Sequence, residues 1–68
     1  MPEISVLSKR IIEYRKNLGK PQPEMAAEIG ISTEELSLIE RKRANPTLDT
    51  LQKISAHMGI TVSELLEI

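Results

Sequence analysis

The chain contains no cysteine, tryptophan or phenylalanine, and only one tyrosine and one histidine in 68 residues. Without thiols there is no disulfide framework, no thiolate metal site and no cysteine nucleophile, and the expected address is cytoplasmic. With so few rings, the core must be built from Leu, Ile, Val, Met and Ala. Met25 and Met58 fall on apolar stripes and read as packing. No apolar run approaches membrane length, and no basic segment with an apolar core follows Met1, so neither a membrane partner nor a secretion signal is expected. A glycine-rich phosphate loop is missing too. His57 lies off the apolar stripe of its segment, without a second His or Cys to share a metal or activate a nucleophile, and reads as an exposed polar residue. Glu34 and Glu35 are helix neighbours that face apart, which is unsuited to paired-carboxylate catalysis. No catalytic residue, cofactor or metal is therefore expected. Finally, the chain lacks a basic excess: nine Lys and Arg against ten Asp and Glu give a formal net charge of -1.

What is present is a dense set of helix signals. Leu7, Ile11, Tyr14 and Leu18 recur at helical spacing and predict a first helix from about Ser5 to Leu18, ended by Gly19. The stretch Gln22 to Glu40 spells two short helices around a turn. Met25, Ala26 and Ile29 mark the inner stripe of the first, and Gly30 follows, free to adopt the left-handed backbone that stops a helix. Ser32 is an N-cap with Glu35 three residues on to complete a capping box, and Ile31 can staple onto Leu36. Leu36 and Ile39 form the next inner stripe. Downstream, Pro46 and Thr47 stop one element and cap another, whose stripe is Leu48, Leu51, Ile54 and Met58, closed by Gly59. Thr61 and Glu64, with Ile60 and Leu65, repeat the cap-and-staple pattern for a short last helix. No alternating β-branched run predicts a strand. The expected fold is all-α, five helices in a single domain over residues 1–68, with a helix-turn-helix formed by helices 2 and 3.

The chain resembles the phage repressor and Cro type of helix-turn-helix DNA-binding domain, the xenobiotic-response-element family, over nearly its whole length. Ile11, Arg15, Gln22, Met25, Ala26, Gly30, Ser32, Ile39, Glu40, Asn45, Pro46, Thr47, Leu51, Ile54, Gly59 and the terminal Ser63-Glu64-Leu65-Leu66 carry the likeness. That resemblance implies a compact lambda-repressor-like fold, sequence-specific binding of a double-stranded DNA operator and, usually, a two-fold homodimer. It places base-edge contacts at Thr33, Glu34, Ser37 and Leu38 on helix 3, and an approach to phosphate or a base by Gln22 at the start of helix 2. Arg41, Lys42, Arg43 and Asn45 would grip the phosphate backbone. Arg15 and Glu40 resemble a pair that joins helix 1 to the end of helix 3 by a structural salt bridge. Departures from the pattern are Pro21 in place of a Ser or Thr cap, Lys20 in place of an apolar residue, and Lys42 where a glycine commonly closes helix 3. An L-residue at positive φ there costs on the order of 1 kcal/mol.

The charges are unevenly placed. Residues 1–20 hold five basic and two acidic side chains, and 41–46 hold three basic and none acidic. Residues 21–40 hold Glu24, Glu28, Glu34, Glu35 and Glu40 with no base. Glu35 is accounted for by the capping box and Glu40 by Arg15, whereas Glu34 sits where phosphates would repel it by ~1 kcal/mol per close charge. Either it accepts a hydrogen bond from cytosine or it lowers DNA affinity. Val62, Leu66 and Ile68 cannot all reach one small core and are the expected dimer interface. The alternative function is a protein-interaction module on the same fold, such as an antitoxin-like component binding a partner protein through Glu34 and Leu38.

Overall fold

A computed structural model describes residues 2–68 as five helices: α1 (Pro2–Leu18), α2 (Gln22–Ile29), α3 (Thr33–Glu40), α4 (Leu48–Met58) and α5 (Val62–Leu66). Among the described residues there is no strand. The expected all-α, five-helix architecture is the one observed. The Cα radius of gyration is 10.5 Å, close to the ~11 Å of a compact chain of this length. One core therefore serves all five helices. Leu7 and Ile11 enter it from α1, Met25, Ala26 and Ile29 from α2, Leu36 and Ile39 from α3, Ile54 from α4 and Leu65 from α5. α1 packs against α3 and α5, α2 against α3 and α4, and α4 against α5.

The helix boundaries follow local chemistry. Gly30 takes φ 95°, and its N–H and that of Ile31 both return to the Ala26 carbonyl, closing α2. Ser32 then accepts a hydrogen bond from the Glu35 N–H at 3.0 Å, Thr47 from the Thr50 N–H at 3.2 Å, and Thr61 from the Glu64 N–H at 3.0 Å. Pro21, in extended backbone, precedes α2 without a side-chain cap, and Pro23 falls in the first turn, where its missing N–H costs little. Replacing the Ser or Thr cap does not displace the start of α2 from Gln22.

Four expectations change. α1 begins at Pro2 rather than near Ser5, and Ile4, half-buried, packs on the core from that added turn. Leu48 is 62% exposed: as the first residue of α4 it lies outside the stripe, and the buried position goes to Thr50. The Ser32 capping box is only half formed, because the Glu35 carboxylate accepts from Thr50 Oγ1 at 3.0 Å instead of from the Ser32 N–H. Thr61 and Glu64 make both halves, with the Thr61 N–H donating to Glu64 Oε1 at 2.9 Å. Leu18, expected on the α1 stripe, is 46% exposed, and the Lys20 ammonium lies 2.5 Å from Glu28.

Candidate nucleic-acid interface

The site is built on α2, its turn and α3. Leu36 and Ile39 are fully buried, which fixes the rotation of α3 about its axis and leaves the opposite face outward. Residues at i, i+3, i+4 and i+7 share a helix face. Glu34, Ser37, Leu38 and Arg41 form that ridge. Thr33 and Glu34 are exposed and Ser37 and Leu38 half-buried.

The C-terminal end of α3 is locked to α1. Arg15 meets Glu40 through two parallel bonds, Nε to Oε2 at 2.7 Å and Nη2 to Oε1 at 2.9 Å. Such a planar fork fixes orientation as well as separation. The Glu40 carboxylate, only 6% exposed, also holds the Arg15 guanidinium above its ordinary pKa, chiefly through these hydrogen bonds. Arg15 Nη1 donates to the Lys20 carbonyl at 3.1 Å, and the Ser8 hydroxyl donates to the Glu40 carbonyl at 2.6 Å. Gln22 joins the same network, its amide nitrogen donating to Glu40 Oε1 at 3.1 Å. The first residue of α2 is thereby tied to the last of α3.

Beyond Glu40 the chain turns through Arg41 and Lys42. Lys42 has φ 61°, the left-handed conformation for which glycine is better suited. The Lys42 N–H returns to the Ile39 carbonyl and the Arg43 N–H to the Leu38 carbonyl, at 3.0 and 2.8 Å, so the helix end is satisfied at the cost of that strain. Arg41, Lys42, Arg43 and Asn45 are all exposed and follow α3 directly. None of the three cations takes part in an ion pair among the described residues.

His57 differs from its expected exposed state. It is half-buried, with Nδ1 at 2.7 Å from the Tyr14 hydroxyl, which also donates to the His57 carbonyl at 2.9 Å. The two rings meet edge to face with centroids 5.6 Å apart. His57 Nε2 lies 3.2 Å from Glu28, the carboxylate already paired with Lys20. These hydrogen bonds, that of Lys20 first, draw the Glu28 carboxyl below its ordinary pKa. The signal available in sequence was Tyr14 itself, a stripe residue whose hydroxyl needs a partner.

A short helix, a tight glycine turn and a second helix held rigidly with one face outward define the helix-turn-helix class. The chain belongs to the helix-turn-helix family, whose model matches residues 11–65. It is 43% identical over 61 residues to the HTH-type transcriptional regulator DdrOP3 of Deinococcus deserti, covering 90% of this chain and 47% of that protein. It is 36% identical over 63 residues to the HTH-type transcriptional regulator SinR of Bacillus subtilis, covering 91% of this chain and 57% of that one. The crystal structure of the hypothetical transcription factor NHTF from Neisseria superposes with a TM-score of 0.81 at 33% identity, over 93% of this chain and 72% of the other. The chain spans about half the length of the curated relatives it matches.

Proposed function

We propose that this chain is a sequence-specific, double-stranded-DNA-binding transcriptional regulator that represses by occupying its operator with α3 in the major groove. The observation that carries the reading is the ridge of Glu34, Ser37 and Leu38, with Thr33 exposed beside it, on a helix whose other face is immobilised by Leu36, Ile39 and Glu40. Short hydroxyls, a carboxylate and a branched apolar side chain are the groups that meet base edges and thymine methyls. Arg41, Lys42, Arg43 and Asn45 supply contacts to the flanking phosphates, and Gln22, bonded to Glu40, lies beside that same end of α3, by the free N–H groups of the α2 N-terminus. In this reading Gln22 reaches phosphate while its amide is steadied by Glu40.

The operator is read by a two-fold homodimer joined through Val62, Leu66 and Ile68. Two features support this. Ile68 is 74% exposed, and Leu66 lines an apolar groove of about 430 Å³ with Ile4, Leu7, Ala44, Pro46 and Leu51. Selection of bound sequences from random duplexes tests both statements. The expected result is an enriched two-fold motif with half-sites about one helical turn apart. No enrichment would overturn the reading.

Between Thr33 and Glu40 α3 holds acids and no base, which favours one second reading, a module that binds a partner protein through Glu34 and Leu38 in an antitoxin-like role. A protein complex indifferent to salt would support it.

A further inference from the structure

The geometry points to Glu34 as a specificity-determining residue that selects cytosine at one position of each operator half-site. This inference rests on the DNA-binding reading and adds the base it reads.

The five carboxylates between residues 21 and 40 are not equivalent. Glu40 is taken by Arg15 and Gln22, and Glu35 by Thr50. Glu28 is taken by Lys20 and His57, and Glu24 lies 4.0 Å from the same Lys20 ammonium. The Glu34 side chain makes no hydrogen bond or ion pair among the described residues. It is exposed, on the first turn of α3 and on the side opposite Leu36 and Ile39. The N-terminal residues of a recognition helix are the ones that reach base edges.

A carboxylate can only accept hydrogen bonds. Within a groove flanked by phosphates its charge is repelled, so the position is tolerable only against a base that donates. In the major groove the donors are cytosine N4 and adenine N6; guanine presents N7 and O6, and thymine O4, all acceptors. Adenine places its N7 acceptor beside the N6 donor, opposite the second carboxylate oxygen. Cytosine places only a C–H there. The carboxylate therefore favours cytosine by attraction and rejects guanine and thymine by repulsion, a discrimination that needs no lysine or arginine on α3.

Selection from random duplexes with the full chain and with its Glu34→Gln and Glu34→Ala variants tests this. Both variants change an exposed side chain, and unchanged circular dichroism verifies that they fold. The parent is expected to enrich cytosine at one position per half-site, by about tenfold over other bases. Glu34→Gln, whose amide can pair with adenine N6 and N7, is expected to convert that position to adenine with the rest of the motif intact. Glu34→Ala is expected to lose preference there alone. Variants that select the parent motif unchanged, or a parent motif with no cytosine at the position they alter, would overturn the assignment and leave DNA binding standing. A parent that enriches nothing would overturn both.

Discussion

Glu40 accepts three side-chain hydrogen bonds, two from Arg15 and one from Gln22, with 6% of its side chain exposed. A charge so enclosed depends on its partner, and removing one member of a buried pair costs far more than the pair contributes. Arg15→Ala is expected to lower stability by more than about 1 kcal/mol and toward the ~3 kcal/mol of a fully stranded charge. In a domain of this size each 1 kcal/mol moves the melting temperature by ~4–8 °C. Arg15→Lys should recover only part of the loss, since an ammonium cannot form the two parallel bonds. A melt of Arg15→Ala that overlays the parent would show that Gln22 and solvent suffice for Glu40. Lys42 poses the opposite case, a residue held against its own preference at φ 61°. Lys42→Gly should relieve ~1–2 kcal/mol of backbone strain and return ~0.5–1 kcal/mol through the freer unfolded chain. A net rise of a few degrees in melting temperature is the expected outcome. A fall would mean that the Lys42 side chain stabilises the turn by more than its φ costs.

At the scale of elements, α2 is clamped to α1 and α4 by polar groups at its surface. The Lys20 ammonium, just after α1, holds Glu28 of α2, which in turn meets His57 in the last turn of α4. The Glu28 carboxyl titrates below its ordinary value because the folded state favours its ionised form. Its contribution is thus present above the unfolded carboxylate pKa of ~4.3 and fades as pH falls through the lowered folded value. Glu28→Gln is accordingly expected to flatten the acid limb of melting temperature against pH below about pH 5. An acid limb as steep as the parent's would remove Glu28 from the account. Helix starts and stops were legible in the sequence because the groups that make them are neighbours: Ser32 with Glu35, Thr61 with Glu64, Gly30 after Ile29. What was not legible depends on helices crossing. Glu35 and Glu64 occupy the same place after a cap, yet only Glu35 has a Thr50 delivered by α4 to divert it. His57 looked solvated because the partners that enclose it come from α1 and α2. The outward face of α3 could be read from the spacing of Leu36 and Ile39, whereas the bond from Gln22 to Glu40 depends on how α2 meets α3.

Over the whole molecule, a formal net charge of -1 provides no general attraction to a polyanion. Attraction has to come from where the charges sit. Arg41, Lys42 and Arg43 follow the C-terminal end of α3, free of ion pairs among the described residues, while Glu34 and Glu35 occupy its first turn. Phosphate contacts should accordingly be few, and each one releases counterions that contribute about 0.9 to the logarithmic salt slope. Three per protomer predict a slope of about -2.7, or about -5 for a two-fold dimer, shallow beside strongly basic repressors. Arg43→Ala is expected to reduce that slope by about one for each protomer bound and to weaken operator and unrelated duplexes alike, since a phosphate contact carries no base information. Changing Glu34 should do the reverse, altering which base is preferred while leaving the slope near the parent's. Fluorescence titrations of one operator and one unrelated duplex across a salt series separate the two effects. A slope untouched by Arg43→Ala would place that side chain off the backbone. Binding that ignores salt altogether would move the electrostatic case from DNA to a protein partner, because no duplex can be held by a chain this acidic without displacing cations.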